Sequence, residues 1–299
     1  MSIHRRKLEI FDLVNSAGLF LTLIVVLYPL IYVLSASFSD PDTLYNGTMW
    51  LLPKGFTLDG YRRIAGYADL WLGYGNTIFY TVAGTVLNLA VTLPCAYALS
   101  RKDLAGRNWF MTMFIITMYI SGGLIPSYLN LKGLGLLDTR AVLLISGLTN
   151  AYNIIVSRTF FQASIPLELQ ESATIDGCTD FGVFIKIALP LSKAIIAVMA
   201  LYFGLMHWND YFNAMIVLRN RNLYPLQLFL REILVQSQIS AAMLENAEAE
   251  TINALLEKQK VANLLKYGII VVSAFPLLVI YPFLQRYFVQ GVLIGSIKA

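Results

Sequence analysis

Glu171-Ser172-Ala173-Thr174-Ile175-Asp176-Gly177, running on to Ile187-Ala188-Leu189-Pro190, is a polar stretch with turn signals, set between two long apolar runs. It belongs to a segment of about thirty residues, 162–192, in which helix signals alternate with breakers. Pro166 suits the first turn of a helix, where its missing N–H leaves nothing unsatisfied. Residues 167–175 tolerate a helix, and Gly177 stands where a helix C-terminus favours a left-handed residue. Thr179 or Asp180 can cap a second short helix over 181–187, which Pro190 then interrupts. The expectation is therefore helix, tight turn, helix, lying at a membrane surface.

The apolar runs on either side decide the class. The chain has 299 residues, of which 57% are hydrophobic and only 13% charged. A soluble domain carries about 25% charge, so this is read as an all-α polytopic membrane protein. A net charge of +4 is too small to indicate nucleic acid. The two cysteines, Cys95 and Cys178, lie far apart in sequence and in unlike surroundings, one apolar and one polar. Such a pair argues against a disulfide or a metal site and for small reduced packing residues.

Six runs have about the length that crosses a bilayer core. They cover 16–35, 76–98, 109–130, 141–161, 194–218 and 267–288. The first is longer than the apolar core of a signal peptide, though Ser35-Ala36-Ser37 would suit cleavage. Several runs hold polar or helix-breaking residues: Asn88, Pro94, Gly122-Gly123, Pro126, Asn150, Asn153, Pro276 and Pro282. In lipid these require neighbouring helices to satisfy the freed groups. Gly122-Gly123 with Pro126 reads as a helix end kinked by the proline, or else as a hinge.

Orientation follows the basic residues of short loops. His4, Arg5, Arg6 and Lys7 precede the first run, and Arg101, Lys102 and Arg107 lie between the second and third. Both positions, the C-terminus and the 162–192 segment are thus expected in the cytoplasm. The 38–75 and 219–266 loops are then external, the latter with an Ala-, Glu- and Gln-rich helical excursion over 236–260. The external Asn46-Gly47-Thr48 sequon reads as a chance match.

The cytoplasmic segment presents small or apolar Ala173, Ile175, Gly177, Phe181 and Phe184 beside Glu168, Glu171, Asp176 and Asp180. An apolar surface rimmed with charge on an exposed loop suits docking. A loop that merely packs under the bundle would share that composition. The chain has no G-x-x-x-x-G-K-[ST] and so no loop of that kind to cradle ATP phosphates.

Glu171-Ser172-Ala173, then Gly177, then nine residues to Ile187-x-Leu189-Pro190, resembles the EAA loop of ATP-binding-cassette (ABC) importer permeases. Ser172 stands for the usual first alanine. The proline often found shortly afterwards is absent, Lys193-Ala194 being there instead. The six runs, Trp208-Asn209 and the ending 290–298 are similar to carbohydrate-uptake permeases of the maltose-transporter type. The segments 158–161 and 223–234 resemble the subgroup for complex or acidic oligosaccharides. This resemblance implies a single permease domain, not an enzyme, in a bacterial cell membrane. It also implies a second homologous permease, two cytoplasmic ATP-binding subunits holding ATP and Mg, and an external sugar-binding protein. No cofactor is expected in this chain. Glu171, Ala173, Asp176, Gly177, Ile187, Leu189 and Pro190 would form the ATPase-coupling helices, with Glu171 meeting a basic residue of the ATPase.

A second constellation, His207-Trp208-Asn209-Asp210-Tyr211 with Asn213, falls in the outer half of the fifth run. Ionisable residues within a membrane usually face a cavity or the bundle interior. On a continuous helix Asn209, Asp210 and Asn213 share an arc of roughly 100°. The six residues are taken as a substrate path, with stacking from Trp208 and Tyr211. Helix-to-helix packing is the alternative, and a His/Asp metal or proton-relay site is a remote one. An ion-gradient-driven secondary transporter is the competing function. It would favour inverted repeats and broken helices at midplane, and no repeat is evident.

Overall fold

A computed structural model describes residues 10–245 and 252–296, with side chains up to Pro282 except at 244, 245, 254 and 258. The basic cluster at 4–7, the middle of the 236–260 excursion, and the tail beyond 296 lie outside the described residues. Among those described there is no strand.

In chain order the helices are α1 (Ile10–Ser37), α2 (Pro41–Tyr45), α3 (Asp59–Ala65), α4 (Ala68–Ser100), α5 (Arg107–Tyr119), α6 (Leu124–Gly133) and α7 (Arg140–Ile145). They continue with α8 (Ala151–Ser164), α9 (Leu167–Ile175) and α10 (Asp180–Val183). A π-helical turn, Phe184–Ala188, leads into α11 (Leu189–Leu191). The last are α12 (Lys193–Trp208), α13 (Phe212–Val217), α14 (Leu226–Glu245) and α15 (Ile252–Ser296).

Three stretches are long and apolar enough to cross a membrane: α1, α4 and 255–282 of α15. Counting each bent pair as one broken span makes five among the described residues. One pair is α5 with α6, whose axes differ by 114°. There Gly123, at φ 83°, takes a conformation that costs other residues strain. The other pair is 180–191 with α12, at 83°. The expected 141–161 run is divided by 146–150 into α7 and α8. Thr139 caps the first and Asn150 the second, each side chain accepting a backbone N–H three residues on.

The chain forms two compact units. The first takes residues 1–68 and 230–275. In it α3 lies close against α15, Gly60 meeting Leu264 and Gly268 meeting Ile64. Phe38 stacks on Phe56 and tilts onto Tyr61, whose hydroxyl shares a hydrogen bond with Ser37. Lys260 pairs with Asp42 and Glu257. The 18-residue apolar window of α1 is not buried in protein at all. A helix apolar all round and uncovered by protein is matched to lipid.

The second unit takes 69–229 and 276–299. One core cluster joins α4, α5, α8 and α9 to the α10–α11 stretch through Leu93, Tyr97, Met111, Ile154, Phe161, Ala173, Val183 and Phe184. A second joins α4, α7 and α13 through Tyr80, Val142, Leu143, Ala214 and Val217. Polar stitching fixes 217–226 to the first half of α4. Asn76 donates to the carbonyls of Asn222 and Tyr224, Tyr80 to that of Leu223, and Thr77 accepts the N–H of Leu226. Asp138, at φ 58°, accepts the N–H groups of Asn220 and Arg219. These bonds hold its carboxyl below the usual carboxylate range, Asn220 first.

Candidate functional site

The 162–192 segment folds as helix, turn, helix. Helix α9 spans Leu167–Ile175 and ends in a Schellman motif. Gly177 at φ 77° sends its N–H to Thr174, and Cys178 sends its own to Ala173 at 2.9 Å. The apolar contact that accompanies such an end is also present, since Ala173 and Cys178 belong to one core cluster. Thr179 then caps α10, its Oγ1 accepting the N–H of Gly182 at 3.2 Å.

The second helix differs from the expectation at Pro190, because it runs through to Leu191. A proline in mid-helix lacks one donor, and its ring strikes the carbonyl four residues back. Here the preceding turn is π-helical, the Leu189 N–H reaching back to Phe184. The wider turn carries that carbonyl aside, and the regular helix ends at Ser192 instead. The axis then turns through 83° into α12, which begins at Lys193, where the family's additional proline is missing.

The motif residues divide by direction. Ala173 and Ala188 are buried, and Ile187 and Leu189 pack against the same cluster. Tyr97 of α4 sits between Phe161 and Phe184, at ring distances of 5.8 and 5.1 Å. These contacts fasten the segment to α4 and α8. Glu171, Asp176, Gly177 and Pro190 point away from the core and are exposed. With them stand Ile175 at 86% and Phe181 at 71% exposure. Apolar side chains this bare beside carboxylates make a surface shaped for contact. Of the five expected surface residues, Ala173 and Phe184 turn inward.

Sequence reasoning missed the groups that grip the end of α4. Arg158 and Gln162 of α8 donate to the Leu99 and Ser100 carbonyls, two of the acceptors a helix end leaves open. Arg101 lies largely buried against the segment. Its guanidinium donates to Asp103 at 2.9 Å and stands 2.9 Å from Asp180. Asp103 is held below the usual carboxylate range mainly by that hydrogen bond, and the Arg101 guanidinium is raised by it in turn. The sequence offered only the Arg101-x-Asp103 spacing as a signal, and nothing that pointed to Asp180.

The structure does not bring the second constellation together. Helix α12 stops at Trp208 and α13 starts at Phe212, so the wheel drawn through 209–213 does not apply. His207 is buried, with Nε2 2.7 Å from Asn88 Oδ1. The Asn88 amide donates to the carbonyls of Gly147 and Leu148, freed where α7 and α8 part. Trp208 packs edge-on to Tyr74 and borders an apolar groove of about 640 Å³ between α4, α12 and α15. Asn209 bonds back to the Leu205 carbonyl. Asp210 accepts from both nitrogens of Asn213, in the first turn of α13. Tyr211 is exposed. Asn213 also borders a cleft of mixed polarity, about 620 Å³, with Gly122, Gly123, Ser127, Leu131, Ser146 and Ile216. Among the described residues, no three His, Cys, Asp or Glu are grouped to hold a metal.

No protein-family model matches the chain. Its sequence is 38% identical over 298 residues to protein LplC of Bacillus subtilis, covering 99% of this chain and 98% of that one. It is 36% identical over 292 residues to the polygalacturonan/rhamnogalacturonan transport system permease protein YtcP of the same organism, covering 98% and 99%. Among solved structures it matches a chain of a bacterial ABC transporter involved in the import of the acidic polysaccharide alginate. That match has a TM-score of 0.83 at 36% identity and covers 96% of this chain and all of that one. The exposed helix–turn–helix, the all-helical bundle and near-complete coverage at these identities agree: the chain belongs to the sugar-uptake permease family of ABC importers.

Proposed function

We propose that this chain is one of two related permease subunits of an ATP-driven importer of oligosaccharides in a bacterial cell membrane. It crosses six times with both ends in the cytoplasm, and residues 162–192 receive an ATP-binding subunit. A sugar-binding protein meets the external 38–75 and 219–266 loops. Uronate-containing oligomers are the first substrates to try, given the names of YtcP and of the alginate transporter. ATP and Mg belong to the ATPase subunits, and this chain does no bond chemistry. Family membership favours this reading over an ion-gradient-driven carrier.

One observation carries the coupling assignment: the inner face of the segment is locked into the α4–α8 core while Ile175 and Phe181 stand bare beside Glu171. A surface so built passes a push to the membrane helices instead of absorbing it. The test is purification of the tagged chain with its complex, wild-type and Glu171→Ala. Recovery of an ATP-binding subunit, a second permease and a binding protein is expected. Glu171→Ala should lower sugar-stimulated ATP hydrolysis while the chain stays in the membrane. A homo-oligomer without an ATPase would overturn the assignment. Orientation is tested separately by labelling cysteines at Lys102 and Trp50 in intact cells, where only the latter should react.

A further inference from the structure

The Arg101–Asp180 ion pair joins two stretches that are far apart in sequence. Arg101 follows the last residue of α4, and Asp180 opens α10. The Arg101 side chain is 17% exposed and lines a cleft together with Tyr97, Leu104, Asp180, Phe181 and Phe184. Its Nε and Nη2 both donate to Asp103, and Nη1 stands 2.9 Å from Asp180 as an ion pair without hydrogen-bond geometry. Arg158 and Gln162 hold the carbonyls just before it. Helix α4 continues from there through Pro94 to Asn88 and Asn76, which bond to His207 and to the 217–226 segment.

We propose that Arg101 is a positioning residue for energy coupling: through Asp180 it makes the α4–α5 loop and the α9–α10 turn move as one body. The inference rests on the coupling assignment for residues 162–192. Arginine suits the task because its fork fixes the group bidentately on Asp103 while a third nitrogen carries charge to Asp180, which the point charge of a lysine does not do. Asp180 is 78% exposed, so its pair adds little to stability. Its effect lies in transmission.

The test uses the assembled transporter with spin labels at Lys102 and Glu168, and Cys95 and Cys178 replaced by alanine. Distances are measured without nucleotide and after trapping with ATP and vanadate. The expected wild-type result is one narrow distribution, the same in both states. Asp180→Asn and Arg101→Gln should each broaden it in the trapped state, and the double variant should be no worse than either single one, because both remove one link. Asp180→Glu should restore the narrow distribution. Unchanged distributions in the single variants, or additive effects in the double, would overturn the link. Additivity would mean that Asp180 acts by touching the ATPase itself. Failure of the ATPase to assemble on the wild-type chain would instead overturn the coupling assignment, and this inference with it.

Discussion

His207 Nε2 lies 2.7 Å from Asn88 Oδ1, and the two residues close a polar knot inside an apolar bundle. The knot satisfies what the break between α7 and α8 leaves open, because the Asn88 amide takes the carbonyls of Gly147 and Leu148. Asn88→Ala strands two carbonyls and the imidazole. Its cost should be about 3 kcal/mol, a lost bond and unsatisfied buried groups together. Thermal unfolding in detergent checks this, and His207→Gln should keep more stability than His207→Leu.

Gly84 faces the same ring. A Cβ there would overlap the imidazole of His207, at Nε2 and both neighbouring ring carbons. Gly84→Ala should therefore displace the imidazole and cost about 1–3 kcal/mol, as overpacking does. Gly204→Ala provides the control, since its nearest groups are an ordinary contact away. A melting temperature for Gly84→Ala equal to that of Gly204→Ala would contradict the knot.

At Gly177 the constraint is backbone, not space. Nothing lies within 4 Å of where a Cβ would be, yet φ is 77°. Substitution should cost about 1–2 kcal/mol of local strain, with Asn milder than Val because it tolerates this region better. Sugar-stimulated ATP hydrolysis should follow the order Gly, Asn, Val. Gly177→Asp adds a charge on the exposed face and should fall below Asn.

The residues that sequence made legible in 162–192 are those whose reasons are local. The bounds of α9, the left-handed Gly177 and the Thr179 cap follow from a few neighbours each. The break at 120–123 was signalled by Gly122-Gly123, whereas those at 146–150 and 209–211 were hidden because the flanking residues are apolar enough to read as continuous spans. The role of His207 was illegible for a different reason. Its partner lies 119 positions away, and an ionisable residue in an apolar run reads equally as lining or as glue. Arg101 was read as an orientation charge, which says nothing of the carboxylates folded against it.

The Asp103 carboxyl is held below its ordinary range, so the Arg101–Asp103 pair contributes at any pH above the unfolded-state value. That contribution is lost only as pH falls through the depressed folded value. Between about pH 5 and 8 the pair should stay intact. The loss of melting temperature caused by Asp103→Asn in detergent should accordingly be the same across that range. A loss that changes near neutral pH would show that another group titrates with the pair.

The most direct measurement places a photo-crosslinking residue at Ile175, the barest apolar side chain of the turn, and identifies its adduct by mass spectrometry in native membranes. The predicted adduct is a protein carrying a G-x-x-x-x-G-K-[ST] loop, with none from the buried control position Ile154. No adduct at Ile175, or an adduct to an external binding protein, would contradict the account.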